Sequence, residues 1–156
     1  MRNIVLGICA GMLPFSIACA EEVHLAKPAA PSERIEFFNP AGAAPYPFSK
    51  AVRVGGTLYL SGELGTVGST GKLAPGGMQA EARQTLSNIQ GTLAANGYRM
   101  SDVVKCTALL ADMSEWPMFN EIYKTFFSKP YPARSALGAN GLALGARVEM
   151  ECIAAK

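Results

Sequence analysis

The stretch YPARSALGANGLALGARVEMEC, residues 131–152, closes the chain and decides its architecture. Ala133 to Leu137 is a short strand-like run behind Pro132, and Ala146 to Ala154 is a longer one. In the longer run Val148, Met150 and Cys152 alternate with Arg147, Glu149 and Glu151. A period of two sends the first set to one sheet face and the second to the other. The apolar face needs a layer over it, and the opposite face carries charge. Arg134 follows Pro132 by two residues. A guanidinium grips a carboxylate through two parallel hydrogen bonds that lysine cannot copy. A carboxylate on a neighbouring strand, Glu149, can orient or deprotonate a water. The same two residues also fit an ordinary ion pair on a solvated sheet face.

The elements upstream supply the layer. Met78, Ala82, Leu86, Ile89 and Leu93 recur every three or four residues, which predicts a helix from Met78 to Asn96 stopped by Gly97. A second helix starts near Ser114 as its cap, tolerates Pro117 in its first turn and ends by Ser128-Lys129-Pro130. Its buried stripe is Trp116, Phe119, Ile122, Tyr123 and Phe126, with Asn120 beside it. Between the helices, Val103 to Ala111 reads as a strand with Val104, Cys106, Ala108 and Leu110 on one face. Before the helices, Arg34 to Phe38 is a short strand. Ser49–Val54 and Thr57–Leu64 form a hairpin about Gly55-Gly56. Ser61-Gly62-Glu63 ends the second arm, and a glycine there admits a ligand close to the backbone. The glycine-rich segment from Thr66 to Gly77 is expected as an exposed loop. Strand, hairpin, helix, strand, helix, strand, strand is an α+β order, with both helices on one face of a mixed sheet.

Composition narrows the function. The chain has 156 residues, 49% hydrophobic and 17% charged, which fits one packed domain rather than a disordered chain. A net charge of +2 gives no electrostatic footprint for nucleic acid or anionic membrane. The N-terminus reads as a signal peptide over residues 1–20. Arg2 is followed by an apolar run from Ile4 to Ile17, the small-residue site Ala18-Cys19-Ala20, and then Glu21 and Glu22. Cleavage after Ala20 and export are expected, ahead of lipid attachment at Cys19. Residues 21–34 read as a flexible linker and residues 35–156 as the folded domain. The only histidine, His24, lies in that linker, which excludes a Ser-His-Asp triad and a histidine-rich metal site within the chain. Cys106 and Cys152 sit inside strand patterns. They read more readily as small buried hydrophobes than as a bridge, although an oxidising compartment would permit one.

Taken together these segments resemble the RidA (YjgF) family of reactive-intermediate deaminases, also labelled endoribonuclease L-PSP. The resemblance covers about Pro47 to Ala154. It is carried by Pro47-Phe48-Ser49-Lys50-Ala51-Val52, Leu58-Tyr59-Leu60-Ser61-Gly62-Glu63 and Asp102-Val103-Val104-Lys105. Phe119-Asn120-Glu121-Ile122-Tyr123, Pro132-Ala133-Arg134-Ser135 and Val148-Glu149-Met150-Glu151 complete it. The resemblance implies a chorismate-mutase-like fold and a homotrimer whose sheets face inward, with clefts at the subunit interfaces. It implies hydrolysis of 2-imino or enamine acids to 2-oxo acids and ammonia, with no metal or organic cofactor. Small 2-imino and 2-oxo carboxylic acids are then the ligands, without nucleic acid and without a membrane span. The family's carboxylate-binding arginine falls on Arg134 and its water-positioning glutamate on Glu149. Its ligand-contacting serine and glycine fall on Ser61 and Gly62, and its cleft asparagine on Asn120. Its cleft tyrosine falls on Phe48, which has no hydroxyl; Tyr46 lies two residues upstream. Glu63 stands where glutamine is common and is expected to add negative charge to the cleft. Ala136 replaces a frequent cysteine, and Gly138 to Gly145 lacks the usual arginine and proline pattern. A non-catalytic module that binds small carboxylates or proteins through the same clefts is the alternative function.

Overall fold

The computed structural model describes residues 34–40, 46–68 and 70–156. The predicted signal peptide and all but the last residue of the linker lie outside the described residues. Ser32–Lys156 forms one unit. Its elements are β1 (Ile35–Phe38), β2 (Ala51–Val54), β3 (Thr57–Leu60), β4 (Glu63–Leu64), β5 (Thr66–Val67), β6 (Lys72–Leu73) and α1 (Gly77–Ala95). They continue with β7 (Val103–Leu110), α2 (Trp116–Phe126), β8 (Ala133–Gly138) and β9 (Val148–Ala155).

The main sheet runs β1-β2-β3-β9-β7-β8, and β4 also pairs with β9. All pairings are antiparallel except β7 with β8, so the sheet is mixed. The last strand of the chain therefore inserts at the centre. Val148, Met150 and Ala154 are completely buried there, and Cys152 nearly so. Both helices cover that same face. Leu86, Ile89 and Leu93 of α1 and Phe119 of α2 are fully buried in one cluster with the strand residues. Fully burying an aliphatic side chain of this size stabilises a fold by about 1.5–3 kcal/mol, so this layer is the main source of stability. Gly97, at φ +80°, ends α1, and the Tyr98 N–H reaches back to the Leu93 carbonyl at 2.9 Å.

Several expectations change in detail. The arm after Gly55-Gly56 breaks at Ser61-Gly62 into β3 and β4. Thr66 to Leu73 contains a small antiparallel hairpin, β5–β6, and is not wholly loop. The register of β7 shifts between Val103 and Lys105. Val103 is therefore the buried residue, and Val104 turns outward with 48% of its surface exposed. The cap before α2 is Asp112 rather than Ser114. The Asp112 carboxylate accepts the Ser114 N–H at 2.8 Å and holds a 3-10 turn that leads into the helix. That hydrogen bond keeps the Asp112 pKa below the usual carboxylate value. Arg147 lies just before β9 and does not share a face with Glu149. It forks onto Glu115 at 2.7 and 2.8 Å, while its N–H donates to buried Glu81.

Cys106 and Cys152 are not separate buried hydrophobes. They stand directly opposite in the β7–β9 register, with Cα atoms 4.1 Å apart, and form a disulfide.

Candidate active site

Strand parity sorts the predicted site residues into two groups. In the β7–β8 register Arg134 pairs with Cys106, so its side chain leaves the sheet on the helix-covered face. In the β7–β9 register Glu149 pairs with Leu109, out of phase with buried Val148 and Met150, so it leaves on the open face. The two residues therefore lie on opposite faces of one sheet, separated by β7. Within one chain they form neither an ion pair nor a site.

The Arg134 group is built on α2. Trp116, Phe119, Asn120 and Tyr123 recur at three and four residues and so share one face of that helix. The guanidinium carbon lies 4.3 Å from the Tyr123 ring centroid, 4.5 Å from that of Trp116 and 5.7 Å from that of Phe119. All three distances are within cation–π range. Arg134 Nη2 donates to Asn120 Oδ1 at 2.7 Å. Nη1 is buried without a hydrogen-bond partner in the chain, as is the Tyr123 hydroxyl. Burial raises the pKa of Tyr123, keeping the phenol protonated, against an opposing pull from Arg134. A cleft of about 270 Å³ opens here, lined by Asn120, Tyr123, Lys124, Tyr131, Pro132 and Arg134. The sequence pattern placed Trp116 and Tyr123 in the core. Their spacing about Asn120 was the available sign that they also clamp a functional arginine.

The Glu149 group is built on the break between β3 and β4. The Glu149 carboxyl lies against Gly62 so closely that a Cβ at position 62 would overlap its oxygen. That contact, rather than backbone strain, requires glycine here. Burial raises the Glu149 pKa above the ordinary carboxylate value, and the Glu151 carboxylate adds to the rise. A carboxylate with a raised pKa is a better proton acceptor for water. Ser61 Oγ donates to the Ser49 carbonyl at 2.6 Å, and the Ser61 N–H donates to the Lys50 carbonyl at 3.1 Å. The Ser61 proton is thus committed locally, which leaves the oxygen to accept rather than attack. Phe48 stands at the start of this segment, 54% exposed, and stacks on Tyr46.

Glu63 does not add charge to either group. It is 3% exposed, on the helix side, bound to Lys50 Nζ at 2.5 Å and to Thr92 Oγ1 at 3.3 Å. Strand parity explains the difference: Gly62 faces Glu149, so its neighbour must face inward. Among the described residues no group of three or more His, Cys, Asp or Glu is placed to hold a metal, and no helix is long and apolar enough to cross a membrane.

Comparison with known proteins adds an independent line. A family model described as Endoribonuclease L-PSP matches residues 39–156. A mouse protein named 2-iminobutanoate/2-iminopropanoate deaminase is 48% identical over 114 residues, covering 73% of this chain and 84% of the mouse protein. The human protein of that name is 44% identical over 108 residues, covering 69% and 79%. The crystal structure of RidA from the Antarctic bacterium Psychrobacter sp. PAMC 21119 superposes with a TM-score of 0.70 at 39% identity, covering 73% of this chain and 92% of that one.

Proposed function

Because the chain belongs to the Endoribonuclease L-PSP family, to which RidA gives its other name, we propose that it hydrolyses reactive 2-imino and enamine acids to 2-oxo acids and ammonia. One observation carries the reading: a guanidinium clamped between Trp116 and Tyr123, fixed on one side by Asn120, lines a cleft with Nη1 lacking a partner. A rigid arginine with unused donor capacity suits a carboxylate. Arg134 then holds the substrate carboxylate and sets the position of the imine carbon. Glu149 takes a proton from water as the water oxygen bonds to that carbon. The proton passes to the substrate nitrogen, and the C–N bond then breaks as the carbinolamine hydroxyl gives its own proton to the freed Glu149 carboxylate, releasing ammonia and the 2-oxo acid. The protonated imine is already electrophilic, so orientation supplies most of the acceleration.

A single chain keeps Arg134 and Glu149 on opposite sheet faces, so a second copy must complete each site. A homotrimer with clefts at its interfaces meets that need. Exposed apolar residues on the open face, including Phe37 at 69% and Leu137 at 47%, support its burial between copies. The net charge of +2 favours a small carboxylate over RNA as ligand. Cleavage near Ala20 and a periplasmic or secreted location belong to the same proposal, supported by the N-terminal pattern and by a disulfide of the kind oxidising compartments preserve.

The test uses 2-imino acids generated in situ by an amino-acid oxidase. Arg134→Lys should lower kcat/KM by about 10- to 100-fold, the range expected for losing hydrogen bonds to a charged group. Full activity in a folded Arg134→Lys or Arg134→Ala protein would overturn the reading.

A further inference from the structure

One ion-pair cluster joins the two halves of the site within the chain. Arg147 stands two residues before Glu149, and Glu115 stands immediately before Trp116, the first residue of α2. Arg147 Nε donates to the two Glu115 oxygens at 2.8 and 2.7 Å, and Nη2 lies 2.7 Å from Oε1. The Glu115 side chain is 18% exposed, which shelters the pair from the screening that weakens surface ion pairs. A guanidinium fork on a carboxylate fixes direction as well as distance.

The start of α2 depends on this contact. A helix start is ordinarily held by a side-chain oxygen that accepts an N–H of the first turn. Glu115 occupies the capping position of α2 and makes no such bond, because its carboxylate is engaged by Arg147. The Arg147 main chain, in contrast, is fixed without its side chain. Its N–H donates to buried Glu81 at 2.8 Å, and its carbonyl accepts the Ala111 N–H at 3.0 Å. The guanidinium therefore reaches from an anchored backbone to the residue before Trp116, whose ring centroid lies 4.5 Å from the Arg134 guanidinium carbon.

We propose that Arg147 is a positioning residue for substrate binding: through Glu115 it sets the Trp116 ring against Arg134 and so aims the arginine that holds the substrate carboxylate. The role of Arg134 in this chain of contacts rests on the deaminase reading above. Substitution of Arg147 leaves its backbone bonds in place, so the start of α2 is released while the Glu149 half is spared. The loss then falls on carboxylate affinity.

The experiment compares the wild type with Arg147→Ala, Glu115→Ala, the double variant Glu115→Ala/Arg147→Ala, and Arg147→Lys. Trp116 is the only tryptophan in the chain, so its fluorescence reports the clamp directly. Without ligand, emission from the alanine variants should move to longer wavelength as the ring gains water. Calorimetry should show pyruvate binding about tenfold more weakly, short of the roughly 100-fold that a 1 Å misplacement can cost. KM for the imine made from alanine by an amino-acid oxidase should rise by about the same factor, with kcat within about twofold of the wild type. The double variant should be no worse than either single variant, because all three remove one contact. Arg147→Lys keeps the charge without the fork and should fall between wild type and Arg147→Ala; it carries the test if the alanine variants do not fold. Unchanged Trp116 emission in the folded variants would overturn the inference, as would losses that add in the double variant, or a lower melting temperature with KM unchanged. In each of those cases deamination stands as long as the wild type turns over. A wild type that neither binds pyruvate nor hydrolyses the imine would overturn the deaminase reading and the substrate role of Arg147 with it.

Discussion

A methyl group at position 62 would fill the space that the Glu149 carboxyl occupies. Gly62→Ala should therefore leave the fold intact, because residue 62 is exposed and lies between β3 and β4. Displacing a catalytic group by about 1 Å can cost on the order of 100-fold. Steady-state kinetics on the variant should show that loss in kcat, with an unchanged far-UV spectrum and melting temperature. Glu151 acts on the same carboxyl through its charge. Removing that charge in Glu151→Gln makes Glu149 easier to ionise, so its pKa falls towards the ordinary value. In the proposed mechanism the working form is the carboxylate, and the acid limb of the kcat/KM profile should move to lower pH. Stability follows the same sign. A carboxyl whose pKa is raised on folding binds more protons in the native state, so stability declines as pH rises from the ordinary value through the raised one. The variant should show a shallower decline over that window, measured by urea unfolding across pH. A profile that does not move would detach Glu151 from the site.

At the scale of elements, the β7–β9 contact is the part of the fold the sequence pattern described least fully. Each cysteine is in phase with its own buried strand face, and that much was legible locally. Which strands adjoin was not, because β9 follows β7 by more than thirty residues and inserts between β3 and β7. The disulfide is a product of that insertion, and so is the separation of Arg134 from Glu149. Helix periodicity located α1 and α2 to within a residue or two, because tertiary packing follows the apolar stripe directly. Val104 was misplaced because a one-residue bulge reverses strand parity without changing composition, and Glu63, expected in the cleft from the resemblance, turns inward past the break at Ser61-Gly62. Arg134 and Glu149 were legible from their own chemistry, the resemblance added Phe48 and assigned the roles, and their distribution over two faces required the topology. The bridge closes a loop with a sequence separation of 46 residues. Chain entropy puts its contribution at about 4 kcal/mol, with about 2–4 typically observed. That equals roughly one core leucine replaced by alanine. Cys106→Ala/Cys152→Ala should therefore remain folded but unfold at markedly lower urea, and reductant should bring the wild type down towards it. Equal midpoints for wild type and variant under oxidising conditions would show that the bridge contributes nothing to stability.

For the whole molecule, the decisive feature is that no single copy can bring the guanidinium and the carboxyl together. Ile35, Phe37, Tyr59 and Leu137 leave the open face substantially apolar and exposed, between 46% and 69% of each residue. In the proposed trimer, burial of this face would set the edge strand β8 of one copy beside a neighbour, and each cleft would then draw Arg134 and Glu149 from different chains. The consequence is complementation. Arg134→Ala and Glu149→Ala should each be inactive alone, because every cleft lacks one partner. When the two are unfolded together and refolded as an equal mixture, a cleft works if its arginine comes from the Glu149→Ala chain and its glutamate from the Arg134→Ala chain. Random assembly satisfies both conditions at about one cleft in four. The mixture should thus recover about a quarter of wild-type activity, while the two variants mixed without unfolding recover none until subunits exchange. Native mass spectrometry on differently tagged chains gives the proportions of mixed trimers, so activity can be compared with composition in one sample. Mixed trimers without recovered activity would require both residues in a working site to come from one chain, which the strand parity of β8 and β9 forbids. That outcome would therefore overturn the proposal that Arg134 and Glu149 of different chains share one cleft.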